Sequence, residues 1–114
     1  MRVGTLRRGA EVLAQLMMAD GPLSRAWGLL GRKSLEPDEA LLLMPCAAIH
    51  TFGMRFTIDV VFLGRDGMIQ ALYANRGPGT CARKKGAYAT LECAGGAIRR
   101  WRLGAGQQLS WEDA

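Results

Sequence analysis

Residues 54–63 read Met-Arg-Phe-Thr-Ile-Asp-Val-Val-Phe-Leu, and their alternation decides the fold class. Met54, Phe56, Ile58, Val60 and Phe62 fall at every second position, so an extended chain puts all five on one apolar face. Arg55, Thr57 and Asp59 share the other face, which itself turns apolar at Val61 and Leu63. Gly64-Arg65-Asp66-Gly67 then supplies the turn residues of a hairpin, and residues 68–74 return as its partner.

The same logic extends outward. In residues 11–19, Val12, Ala14, Leu16 and Met18 alternate with their neighbours, which predicts a strand with one buried face. Asp20-Gly21-Pro22 is a turn, after which Ser24 caps a short helix to about Leu30, with Trp27 and Leu30 inward. The apolar run 40–46 predicts a buried strand, residues 75–86 a glycine-rich loop, and residues 87–94 another strand. Ile98 and Trp101 fit a helix of one or two turns ending near Gly104, and residues 107–111 a last short strand. The expected fold is mostly β: a compact antiparallel barrel or sandwich of about six short strands with one or two short helices. Closure of that kind leaves no long unpaired edge.

At 114 residues the chain is expected to be a single domain spanning residues 1–114, because halves could not bury cores of their own. Hydrophobic residues make up 49%, which excludes disorder. Arg2, Arg7 and Arg8 precede an apolar stretch, as in an export signal. Glu11 and Gln15 interrupt that stretch, and it is too short and polar to span a bilayer. The expected location is therefore the cytoplasm. Three cysteines, Cys46, Cys81 and Cys93, are odd in number and widely spaced, as reduced thiols are. Cys81 lies beside Arg83, Lys84 and Lys85 and is the thiol to test for reactivity, although no base is near it in sequence.

Trp27-Gly28-Leu29-Leu30-Gly31-Arg32, Ile49-His50-Thr51-Phe52-Gly53-Met54 and Ile58-Asp59-Val60-Val61-Phe62 occur in that order. Asp66-Gly67, Leu91-Glu92 with Gly95, and Leu103 with Gly106 follow them. Together these segments resemble the domain of unknown function 192 (DUF192) family, from about residue 10 to residue 110. The resemblance implies a barrel-like prokaryotic β fold and no established activity, substrate or cofactor. Two departures stand out: Gly106-Gln107 replaces the Gly-Asp of many relatives, and His50 and Gly53 replace a bulkier segment. The Leu-x-x-Gly-Asp pattern also resembles a turn in other small β-barrels, including some DNA-binding transcription regulators, which is a likeness of fold only.

Lone ionisable residues in apolar strands are the candidate site. His50 is the only histidine, and as a general base it needs an orienting carboxylate. Asp59 interrupts an apolar strand and must be partnered, with Arg55 on the same face about 13 Å away along an ideal strand. Glu92 is a lone acid in its own strand. The expectation is a small polar pocket of His50, Arg55, Asp59 and Glu92 that binds a small ligand or a protein, without catalysis. One alternative is nucleic-acid binding through Arg83, Lys84, Lys85, Arg99, Arg100 and Arg102, since residues 76–102 carry seven cations against Glu92 alone. Another is a small hydrolase with His50 as base. The spacing of Cys46, His50, Cys81 and Cys93 supplies no second close ligand pair, and no phosphate loop or serine elbow is present, so neither metal nor cofactor is expected.

Overall fold

A computed structural model describes residues 2–21, 29 and 32–114. The helix expected over residues 24–30, with Trp27 and Leu30, lies outside the described residues except at Leu29. Nine strands are found among the described residues: β1 (Arg2–Arg8), β2 (Glu11–Ala19), β3 (Glu39–Leu43), β4 (Ala48–His50), β5 (Ile58–Leu63), β6 (Ile69–Arg76), β7 (Cys81–Arg83), β8 (Ala89–Ala94) and β9 (Ser110–Asp113). One short helix, α1 (Ala97–Arg100), follows β8. No helix among the described residues is long and apolar enough to cross a membrane.

Seven strands form one sheet in the order β6-β5-β8-β3-β2-β1-β9, and β4 pairs with β7 in a second, two-stranded sheet. The mostly β class read from the sequence holds. The expected all-antiparallel arrangement needs one correction, because β2 and β3 run parallel. The connection through residues 20–38 is long enough for the crossover that parallel neighbours require.

The large sheet curls until its ends touch. The Ile69 amide donates to the Gln107 carbonyl (2.8 Å), Gly106 to Ile69 (2.8 Å) and Leu109 to Gly67 (3.0 Å), tying the start of β6 to the segment before β9. A single Met68–Gln108 bridge is a contact rather than a ladder, so the sheet is barrel-like without closing. Gly67 sits at φ 88°, and a β-carbon there would collide with the Leu109 carbonyl, so only glycine permits this approach.

Both faces of β5 are buried, which a half-exposed strand would not allow. Val61 and Leu63 enter the core inside the curl with Leu6, Leu16, Leu42, Leu91 and Leu109. Ile58, Val60 and Phe62 face outward into a second core, which Met54, Leu35, Ala82 and the half-buried Phe56 and Ile49 cover. The five alternating side chains thus share one core as expected, but the strand itself begins only at Ile58. The small β4–β7 sheet is a lid on this outer core, since Ile49 and Ala82 pair in register and both pack into it.

Candidate functional site

Asp59 and Glu92 do not converge. In register, Asp59 faces Cys93, which belongs to the inner core, whereas Glu92 faces Val60 and Leu41, which belong to the outer one. Cross-strand partners share a face, so the two carboxylates point to opposite sides of the sheet. The expected partner Arg55 is exposed and is not what satisfies Asp59. The Asp59 carboxylate instead accepts three backbone N–H groups: Asn75 (2.9 Å) and Gly96 (3.2 Å) on Oδ1, and Ile98 (2.8 Å) on Oδ2. The N-cap of α1 is Gly96, which has no side chain to cap with, so Asp59 caps that helix from a distance. Its role here is to hold α1 and the left-handed Asn75 (φ 56°) against β5.

Glu92 is 4% exposed, and its carboxyl is raised by burial from the usual 4.5 to about 7. The same sheet face carries Tyr73, across Val60 in register, and Arg76, opposite Ile58. The Arg76 guanidinium lies 4.9 Å from the Tyr73 ring centre, and its buried Nε has no hydrogen-bond partner.

His50 lies in the lid rather than beside either acid. β4 and β7 pair Ala48 with Arg83, Ile49 with Ala82 and His50 with Cys81. The ring is exposed, 5.4 Å from the Phe52 ring, and its Nδ1 accepts the Phe52 amide (3.3 Å). The expected pocket of His50, Arg55, Asp59 and Glu92 is therefore dispersed over the lid, an exposed loop and the two faces of the sheet.

What the lid does form is an open groove of about 780 Å³. Ala48, Ile49 and Ala82 give it apolar walls, while His50, Cys81, Arg83 and Tyr73 bring polar atoms to it. The Tyr73 hydroxyl donates to the Arg83 carbonyl (3.3 Å), fastening β7 to β6. The other fastening is a threonine clasp next to the His50–Cys81 pair. Thr51 is fully buried; its amide donates to the Thr80 carbonyl (2.8 Å), its hydroxyl donates to the Gly77 carbonyl (2.7 Å), and it accepts the Thr80 amide (2.8 Å). Thr51→Val keeps the shape and removes the hydroxyl, leaving the Thr80 amide and Gly77 carbonyl without it. We expect a loss of about 2 kcal/mol in urea unfolding, with amide exchange accelerating first in residues 77–83.

The sequence profile of the DUF192 family, described as an uncharacterised ACR, matches residues 5–111. The chain belongs to the DUF192 family. Two solved structures share the fold. A protein described as a proposed transcription regulator, from Sinorhizobium meliloti 1021, aligns at a TM-score of 0.82 with 20% identity over 96% of this chain and 92% of its own. A protein of unknown function from Novosphingobium aromaticivorans DSM 12444 aligns at 0.81 with 23% identity, over 96% and 84%. No functionally curated protein matches significantly.

In this DUF192 chain the six cations weighed for nucleic-acid binding sit in two places. Arg83, Lys84 and Lys85 belong to the lid, with Arg83 and Lys85 exposed. Arg99, Arg100 and Arg102 surround α1, whose Ala97 and Ile98 pack on the inner core. Sequence reasoning overlooked Tyr73, which lines the groove, and Thr51, which fastens the strands beside it, and it missed the pairing of Cys81 with His50. Thirty-one positions separate that pair, and no local pattern brings them together.

Proposed function

We propose that this DUF192 domain is a small-ligand-binding module that holds an organic anion with an apolar body in the groove between β4, β7 and Tyr73. One observation carries this reading: apolar walls and a cation share one concavity, and none of its described lining residues is acidic. About 780 Å³ falls in the range of small-molecule sites, which are mostly apolar with a few polar groups that set orientation. Arg83 supplies a fork that matches a carboxylate or sulfonate, and Lys84 and Lys85 add positive potential beside it. This keeps the binding role expected from the sequence and, of the residues expected for it, His50 alone; Arg55, Asp59 and Glu92 give way to the groove's other residues.

The probe is 8-anilinonaphthalene-1-sulfonate, an apolar ring system bearing an anion. Its fluorescence is expected to rise saturably with the folded protein, to weaken with salt, and to vanish with Ala48→Trp, which fills the groove from its exposed rim. Arg83→Ala should weaken binding up to about fivefold, as loss of a solvent-exposed ion pair worth at most roughly 1 kcal/mol does. Equal binding by the Ala48→Trp protein, or enhancement that appears only on unfolding, overturns the reading.

A further inference from the structure

We propose that Cys81 is a reversible covalent capture point within this groove, where its thiol exchanges with low-molecular-weight disulfides bearing carboxylates, aided by His50 and Arg83. This rests on the groove being a binding site and names the chemistry it takes.

The three side chains are placed by the ladder. His50 and Cys81 are directly opposed in antiparallel register, which sets their β-carbons about 5 Å apart. The Thr51–Thr80 clasp begins at the next residue of each strand and holds that register. Arg83, two residues beyond Cys81, emerges on the same face about 7 Å along the strand. All three line the groove. His50 is also oriented: its Nδ1 accepts the Phe52 amide, so the neutral ring carries its proton on Nε2, which is then a donor. The register sets this ring directly across the ladder from Cys81, where an N–H donor steadies the negative charge that exchange places on sulfur.

The other thiols are not equivalent. Cys93 is fully buried and its thiol is pushed far up, first by burial and then by the Asp59 and Glu92 carboxylates. Cys46 is half-buried and spends its S–H on the Ala48 carbonyl (3.1 Å). Cys81 alone of the three is exposed.

In the exchange the Cys81 thiol gives its proton to water. The thiolate attacks one sulfur of the incoming disulfide, an S–S bond forms to Cys81, and the reagent's own S–S bond breaks. The departing thiolate takes up a proton, so the only oxidant consumed is the disulfide itself. Attack by a second thiol on the mixed disulfide reverses the step. The carboxylates of the captured half meet Arg83 while its sulfur lies beside His50.

The test exposes the native protein to oxidised glutathione, an acidic disulfide, and separately to cystamine, a cationic one, and maps the adducts by peptide mass. Glutathione is expected on Cys81, with Cys46 and Cys93 unmodified, about tenfold faster than cystamine at low salt. Arg83→Ala should remove that preference. His50→Phe should slow exchange about tenfold, while His50→Gln, which keeps an N–H donor, should recover most of the rate. Modification of Cys46 as fast as Cys81, indifference to the charge of the disulfide, or a His50→Phe rate equal to wild type each overturns the proposal. If the anilinonaphthalene probe still binds and Ala48→Trp still blocks it, only the covalent step falls. If the probe does not bind, the groove reading falls too.

Discussion

Replacing Asp59 by alanine should cost about 4 kcal/mol of folding stability, because three backbone amides lose their buried acceptor at once. The carboxylate is fully buried, and each of its oxygens is committed to backbone N–H groups from elements far apart in sequence: the end of β6 and the start of α1. A four-residue helix cannot hold itself, so removing its cap frees α1 as well. For a domain of this size, that loss lowers the melting temperature by roughly 20 °C. In urea the midpoint should fall while the slope stays unchanged. Asp59→Asn is expected to lose about half as much, near 2 kcal/mol, since one amide oxygen still accepts while its NH2 group opposes another donor. Protection of the Ile98 amide against exchange should disappear in the alanine protein. A loss below about 1 kcal/mol would mean that water replaces the carboxylate, and the capping role would be wrong.

How much of this was readable beforehand varies with the range of the interactions. β2 lies over the residues 11–19 expected for it, and β5, β6 and β8 lie within a few residues of expectation, because period-two alternation is a local signal. β1 went unread. It carries Arg2 and Arg7, whose carboxylate partners Asp113 and Glu112 are at the other end of the chain. Cations that look like the start of an export signal are strand residues held in ion pairs. β4 and β7 are three residues each, too short for any periodicity, and their pairing depends on Thr51 meeting Thr80. The site was lost for the same reason. Asp59 was legible as a carboxylate in need of partners, but side-chain patterning carries no information about which backbone amides arrive. The alternation also could not show that both sides of the sheet would be covered, and this is what separates Asp59 from Glu92.

That separation leaves Glu92 in an apolar layer, and its titration should dominate the pH dependence of stability near neutrality. In the folded protein its carboxyl protonates at about 7, against 4.5 when the chain is unfolded. Between those values the folded state holds a proton that the unfolded state has released, so stability falls as pH rises through this window and levels off above it. The loss from this one group is about 3 kcal/mol. The register places Tyr73 and Arg76 from β6 on its face, with Glu39 of β3, which pairs with Arg32 (2.9 Å), yet burial is the cause that governs. Glu92→Gln mimics the protonated acid and cannot ionise. It should be as stable as wild type at about pH 4.5 and about 3 kcal/mol more stable at about pH 8, measured as urea midpoints at both values. The sign separates this group from an ion-paired carboxylate, whose removal would weaken the protein at neutral pH. If wild type and Glu92→Gln show the same slope across the window, Glu92 is already ionised in the folded state at pH 5. Water would then reach a carboxylate that Val60 and Leu41 flank.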